Sequence, residues 1–262
     1  MRVHTFVQRW IILVYDPITK EWPMVSMWYS FFISLGYLYF IYIAGPRFMK
    51  NRPPYKLKGF IMFYNIIQIL ANAWAIKEYI RAGWFTKYGF KCWKPDFDSP
   101  NAQMIFNISW WLLLLKIFDY VETCVFVLRK KQKQISVLHV YHHISVVMFA
   151  TIFMRYVPDS RASFISLINC FVHVVMYTYY FCAACGPKIQ RIVNPFKQYL
   201  TTIQMVQFFV ILVYMSQALF PFCEVPKGIE ILPYFTINLL IYIFLFYDFY
   251  RKTYTKTTKQ KN

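Results

Sequence analysis

The chain has 262 residues, of which 58% are hydrophobic and 22% aromatic against only 15% charged, a composition that excludes a soluble domain. With seven glycines and no repeated block it is not fibrous, and its apolar content is too high for a disordered chain. The net charge of +18 would suit a nucleic-acid partner only if the basic residues lined one groove; they are dispersed over short loops between apolar windows, so no nucleic-acid role is expected.

Residues 1–22 carry Phe6, Val7, Trp10, Ile11 and Val14 beside Arg2 and Arg9, the pattern of a helix lying in the membrane interface. The apolar run is too short for a signal peptide and no small-residue cleavage site follows it, so the first span is expected to direct insertion. Seven windows then reach the roughly 20 apolar residues a spanning helix needs, at about 25–45, 59–82, 104–127, 135–154, 162–185, 198–220 and 229–250. The expected fold is an all-α polytopic membrane protein, a single domain over 1–262 with a basic tail at 251–262. Lys and Arg alternate in density between the two sides. Arg47, Lys50, Arg52, Lys56 and Lys58, then Arg129, Lys130, Lys131 and Lys133, then Lys188, Arg191 and Lys197, then the tail fall on one side; fewer fall in the longer segments of the other. The positive-inside rule places the N-terminus in the lumen or exterior and the C-terminus in the cytosol.

Of six cysteines, Cys124, Cys170, Cys182 and Cys185 fall inside spans, whereas Cys92 and Cys223 share the non-cytosolic side, where oxidation is open to them. Cys182-Ala-Ala-Cys185 sits in an apolar helix without basic neighbours and reads as packing rather than a redox pair. Asn107-Ile-Ser109 is a formal glycosylation sequon, too near the membrane to be used.

Polar groups inside hydrocarbon are costly and mark a site. The third window reads Lys116-Ile-Phe-Asp119-Tyr-Val-Glu122-Thr123, whose spacing of three and four draws the polar groups into one helical stripe. A self-neutralising ion pair that only fixes packing stays open for it. The fourth opens with His139-Val-Tyr-His142-His143, three imidazoles expected on one face within a turn. In the fifth, Asn169, His173, Met176, Tyr177 and Tyr180 share a face; in the sixth, Thr201, Gln204 and Gln207 follow at threes, with helix glue as the plainer reading. Converged, these stripes make one buried polar chamber. Such a chamber suits acyl transfer, with one imidazole as nucleophile and a second moving protons. Histidine-bound iron, as in membrane desaturases, is disfavoured because His4 is remote and only four histidines remain. A seven-span receptor fits the topology but not three histidines near the cytosolic end.

These residues are similar, in order and spacing, to the motifs of the ELO very-long-chain fatty acid elongases, the condensing enzymes of the endoplasmic reticulum. The carrying segments are His139-x-x-His142-His143, the preceding Val127-Leu-Arg-Lys-Lys, Asn169-x-x-x-His173-x-x-Met176-Tyr177-x-Tyr179-Tyr180 and Thr201-x-x-Gln204-x-x-Gln207, with Asp16-Pro17 resembling the family's first segment. Two places depart. The family reads Lys-x-x-Glu-x-x-Asp-Thr where Asp119 and Glu122 exchange the acids, and Val157-Pro158-Asp159-Ser160 lacks the paired glycines common there. The resemblance implies condensation of a long-chain acyl-CoA with malonyl-CoA to a 3-ketoacyl-CoA (a 3-oxoacyl-CoA synthase activity), with CO2 and CoA released and no metal or redox cofactor. It implies six of seven helices around a narrow acyl tunnel, a Cys92–Cys223 disulfide, and attack by His142 on the thioester in a ping-pong scheme. His173 would face it, His139 and His143 would orient the site, and Lys116, Asp119 and Glu122 complete the catalytic candidates. Asn169, Met176, Tyr177, Tyr180, Thr201, Gln204 and Gln207 are expected to contact substrate, and Lys130, Lys131, Lys133 and Lys197 the CoA phosphates, ordinary positive-inside charge remaining open for the lysines. As partners the resemblance implies acyl-CoA, malonyl-CoA, membrane lipid and the reductases and dehydratase of the elongation cycle, with a homodimer left open. Residence in the endoplasmic reticulum rests on the resemblance and on the Lys259-Gln-Lys261-Asn262 tail, which approximates a retrieval signal.

Overall fold

A computed structural model describes residue 19 and residues 21–88, 99–156, 160–220 and 226–255. The interfacial segment with His4, Asp16-Pro17, the Cys92 and Cys223 pair, the 157–159 turn and the 256–262 tail lie outside the described residues. Every element among the described residues is helical. That follows from composition: in hydrocarbon a backbone must satisfy its own N–H and C=O groups, and a helix does so within one segment.

In chain order the helices are α1 (Met27–Met49), α2 (Lys58–Arg81), α3 (Pro100–Phe118), α4 (Tyr120–Leu128), α5 (Val137–Tyr156), α6 (Ser160–Cys185), α7 (Pro187–Val193), α8 (Lys197–Met215) and α9 (Pro226–Tyr250). Local chemistry sets several ends. Ser99 caps α3, its Oγ accepting the Ala102 N–H at 3.2 Å, with Pro100 in the first turn where its missing N–H costs nothing. Gly186 has φ +147° at the corner between α6 and α7, a conformation that disfavours a side chain. Within α1 the winding loosens to a π turn at Phe40–Ala44, directly before Gly45-Pro46. The Pro46 ring would crowd the carbonyl of Tyr42 in a regular helix, and the wider turn relieves it.

Among the described residues, six helical segments are long and apolar enough to cross a membrane: Met27–Met49, Lys58–Arg81, Val137–Arg155, Ala162–Cys185, Pro187–Leu219 and Ile231–Thr255. The chain is a multi-pass membrane protein. The window expected at 104–127 is not among the six. It is two helices, α3 and α4, joined at Asp119, and its polar residues dilute the apolar character that the other windows keep. Large apolar side chains such as Phe32, Phe63, Leu70, Phe209 and Phe244 are more than half exposed, as a lipid-facing surface requires.

One buried cluster draws residues from α2, α3, α5, α6, α8 and α9, including Tyr79, Leu112, Phe153, Leu167, Ile211 and Leu239. The α2–α6 contact is the most extensive between helices. α1 stands outside this ring: Tyr37 and Ile41 pack on Tyr120 and Val127 of α4 and on Val140 and Val147 of α5. Close approach is possible because Gly45 has no side chain; a Cβ there would lie 2.7 Å from Val127 Cγ1 and 2.8 Å from the Phe40 carbonyl. Three basic segments gather at one end, where the Tyr55 N–H meets the Leu128 carbonyl at 3.1 Å and Lys58 Nζ donates to the Cys185 carbonyl at 3.1 Å.

Candidate active site

A cavity of about 130 Å³ runs inside the ring, lined from α3, α5, α6, α8 and α9. Its walls are mostly apolar. Lys116, His142, Asn169 and Gln207 supply polar groups to them, as do three serines discussed below. From His142 to Phe153 the lining follows α5 for eleven residues, about 16 Å of helix rise. One end of the cavity is thus chemical, and toward the other the rings of Phe149, Phe153 and Phe235 line it, their centroids 5.2 to 6.4 Å apart.

The three imidazoles of α5 do not converge. His139 and His143 pair with centroids 4.3 Å apart, and His139 Nε2 meets Thr123 Oγ1 at 2.8 Å, while the Tyr37 hydroxyl donates to the same Thr123 oxygen at 2.9 Å. His142 turns the other way, onto Tyr242 at 5.1 Å and Phe208 at 6.4 Å, and into the cavity. Its ring makes no hydrogen bond with any described residue, and Nδ1 is fully enclosed. The expected single face therefore divides, because neighbouring helical residues diverge by about 100° and His142 cannot follow His143.

The expected Lys116–Thr123 stripe divides as well, at the Asp119 junction. Lys116 and Asp119 turn toward α2 and α6: Lys116 Nζ lies 3.2 Å from His173 Nδ1 and 3.6 Å from Asp119 Oδ2. Asp119 Oδ1 accepts from Gln68 Nε2 at 2.6 Å and from the Tyr177 hydroxyl at 3.5 Å. Glu122 and Thr123 turn instead toward α5. Donor atoms of Glu122, His139 and His143 lie within 4.8 Å of one another, two imidazoles and a carboxylate that could hold a divalent ion, although Thr123 already engages one nitrogen of His139. His173 is buried and does not line the cavity; it reaches it through Lys116, and His142 lies within electrostatic range of it.

The substrate candidates scatter. Asn169 and Gln207 face the cavity; Met176 is buried about two turns further along α6, accepting at Sδ from Gln204 Nε2 at 3.4 Å. Thr201 is buried on α8, Tyr177 serves Asp119, and Tyr180 is more than a third exposed, away from the cavity. Lys130, Lys131, Lys133 and Lys197 are exposed at the basic end and do not line the cavity. The Ser109 hydroxyl of the sequon is engaged with Tyr79 at 3.1 Å.

Residues 22–262 match the ELO (GNS1/SUR4) family. The chain belongs to that family. A very long chain fatty acid elongase of Aedes aegypti is 37% identical over 249 residues, 94% of this ELO chain and 69% of that protein. Elongase 1 of Mus musculus is 35% identical over 92% of this chain and 87% of its own length, and elongase 7 of Drosophila melanogaster 34% identical over 92% and 73%.

The sequence reading of this ELO chain missed the contribution of α2. Gln68 and Asn72 are fully buried, and Tyr64, which accepts from Gln68 Nε2 at 2.9 Å, is nearly so. Their spacing of four placed them on one face, a signal of the same kind as that on α6. It also missed the far wall: Tyr141 donates to Asn238 Oδ1 at 2.9 Å, and Ser145 Oγ lies 2.6 Å from the Tyr242 hydroxyl, holding the ring against which His142 rests.

Proposed function

We propose that this chain catalyses the condensing step of fatty acid elongation, joining a long-chain acyl-CoA to malonyl-CoA and releasing CO2, CoA and a 3-ketoacyl-CoA two carbons longer. Its elongase relatives support the activity, and one observation carries the chemistry: an imidazole without a protein hydrogen-bond partner, His142, faces an apolar cavity long enough for an acyl chain. In the first half-reaction a His142 nitrogen attacks the thioester carbon, the C–S bond breaks and CoA leaves with a proton. In the second, malonyl-CoA loses CO2, the carbanion attacks the acyl-imidazole carbon, and the C–N bond breaks as the leaving imidazole takes up a proton from water, which restores the neutral histidine. One cavity mouth serves both CoA substrates because the first CoA has departed.

Lys116 supports a donor role for His173. An ammonium has only protons to offer, so Nδ1 of His173 accepts and its own N–H lies on Nε2. A ring in that state gives a hydrogen bond rather than taking one, which suits holding the departing sulfur while it takes the proton released by the acylated His142 ring. Asp119 keeps the ammonium compensated, and Gln68 and Tyr177 hold Asp119. His139, His143 and Glu122 back the turn that carries His142. Met176, Tyr177, Thr201, Gln204 and Tyr180 frame the chamber or its rim. We assign α3 and α4 together to a seventh span, six helices around the acyl tunnel, and α1 to its outside. The basic end is cytosolic in this reading, the N-terminus lumenal, and Lys130, Lys131, Lys133 and Lys197 there draw CoA phosphates. Residence in the endoplasmic reticulum, the Cys92–Cys223 disulfide, a homodimer and neighbouring reductases and dehydratase complete it.

Purified protein given acyl-CoA and labelled malonyl-CoA should release CO2 and the lengthened ketoacyl product. Acyl-CoA alone should add one acyl group by intact mass, and His142→Ala should lose both adduct and product with its folded elution unchanged. Adduct on the variant would remove His142 as nucleophile. The Glu122–His139–His143 donor set supports a second reading, a metal-dependent membrane oxygenase, which stoichiometric metal in active protein would favour.

A further inference from the structure

Not every polar group in the cavity is free for a substrate. Ser109 is engaged by the Tyr79 hydroxyl, Ser163 accepts from Trp84 Nε1 at 2.9 Å, and Ser166 lies close enough to the Tyr79 hydroxyl to interact with it. Those serines solve a packing problem, giving buried aromatic donors a partner. Gln207 and Asn169 do not. Gln207 is only 4% exposed, both carboxamides line the cavity, and neither hydrogen-bonds a described residue. A carboxamide without a protein partner is costly where burial keeps water from it, and both of these open onto the cavity, so a ligand that enters it is placed to satisfy them.

Their positions say which atoms that ligand presents. Gln204 meets Met176 across the antiparallel α8–α6 contact. With an equal rise on both helices, three residues further along α8 Gln207 stands opposite His173, and Asn169 stands one turn deeper on the same wall. The next residue after Gln207, Phe208, packs against the His142 ring. The two amides therefore flank the point where the His142 nucleophile and the His173–Lys116 pair meet.

Resting on the elongase reading, we infer that the Gln207 and Asn169 N–H groups form the oxyanion hole of the reaction, donating to the acyl carbonyl oxygen while it carries negative charge. When the His142 nitrogen bonds the carbonyl carbon, the C=O π pair moves onto oxygen, where the amides hold it. Collapse restores the C=O, breaks the C–S bond and sends the electron pair out on sulfur, which takes the proton released from the imidazolium. In the second half-reaction the malonyl-derived carbanion adds to the same carbon, the oxygen occupies the same hole, and the C–N bond breaks. An amide suits this task because it donates without contributing a charge that would bind substrate and transition state alike.

The test separates half-reactions. Gln207→Met and Asn169→Leu keep approximate volume and remove the donors; Gln207→Glu keeps shape and leaves an acceptor. Single-turnover acylation by acyl-CoA, followed as free CoA and as intact-mass adduct, should slow by about 10²- to 10³-fold in each. Affinity for a non-reactive thioether analogue of acyl-CoA should stay within about threefold, as should the thermal midpoint in detergent. Acylation at the wild-type rate overturns the inference. So does a rise confined to the KM for malonyl-CoA, which would give the amides to the malonyl carboxylate, and so does loss of analogue binding in step with rate, which would make them packing. Failure of the elongase reading looks different, because then the wild-type protein itself forms neither adduct nor ketoacyl product.

Discussion

The aromatic end of the cavity sets a length, and that length can be changed. From His142 to Phe153 is about 16 Å along α5. A carbon–carbon bond of about 1.52 Å at a near-tetrahedral angle advances about 1.25 Å per carbon, so roughly thirteen carbons fit between the reacting carbonyl and the Phe153 ring. The rings of Phe153 and Phe235 are 5.2 Å apart, so clearing one ring opens a similar depth, about four further carbons or two rounds of elongation. Phe153→Ala should therefore lengthen the longest product by about four carbons when a mixed acyl-CoA pool is supplied and products are separated by chain length. The ring is buried, and its removal should cost about 3–5 kcal/mol, enough to threaten folding. Phe153→Leu, nearer in volume, should cost about 1.5 kcal/mol or less and shift the profile by about one round. The converse is Ala150→Phe: this position lines the cavity eight residues from His142, about 12 Å, and should restrict acceptors to about ten carbons. A Phe153→Leu and Ala150→Phe pair that folds normally with an unchanged product profile would refute the geometry, because the chain would then run elsewhere.

Four other outcomes follow from these contacts. Asp119→Glu with Glu122→Asp restores the family's usual acid order, yet Asp119 Oδ1 already lies 2.6 Å from Gln68, so the longer acid is overpacked; activity should fall in the double variant and recover in part when Gln68→Asn is added. Lys116→Ala leaves Asp119 buried without a cation and should destabilise by about 3–5 kcal/mol, whereas joint replacement of Lys116 by Met and Asp119 by Leu should be far milder in thermal unfolding though equally inactive. Gly45→Ala sets a Cβ 2.8 Å from a backbone oxygen and should lower the thermal midpoint in detergent, at about 1–3 kcal/mol, with kcat/KM in the surviving fraction unchanged. Chelation by EDTA should leave turnover intact and metal analysis sub-stoichiometric; loss of activity restored by one metal would transfer Glu122, His139 and His143 to a metal centre.

What the sequence discloses differs between the two faces of each helix. Lipid-facing surfaces are written in hydropathy, and α1, α2, α5, α6, α8 and α9 appear within a few residues of the expected windows. The ring order and the outside position of α1 were not legible, since the polar faces mark which side points inward but the apolar flanks that meet between helices are alike in composition and name no neighbour. Titratable residues were conspicuous because hydrocarbon excludes them; neutral ones such as Gln68 and Asn72 escaped, though they carry the same information about burial at the same spacing. Directions were the weakest part. A turn of three histidines reads as one cluster on a linear string, but a step of one residue is about 100° of rotation, so His142 enters the cavity while His143 joins His139 against Thr123. The division is what the proposed chemistry rests on: of the three rings, only His142 lines the cavity.

The same logic explains why the third apolar window is the least convincing span. Lys116, Asp119 and Glu122 lower its apolarity, and the helix breaks at the residue whose carboxylate is held by Gln68 on α2 and by Tyr177 on α6. A continuous helix through Asp119 would keep Lys116 and Thr123 on one stripe and deliver both to a single neighbour. The break lets Lys116 serve His173 while Thr123 serves His139, so that two helices carrying imidazoles are oriented from one segment. A segment free of charge would insert more readily and position nothing. The departure from span-like composition is therefore where local preference yields to the site, and it is the feature a stabilising redesign of α3 and α4 would erase first.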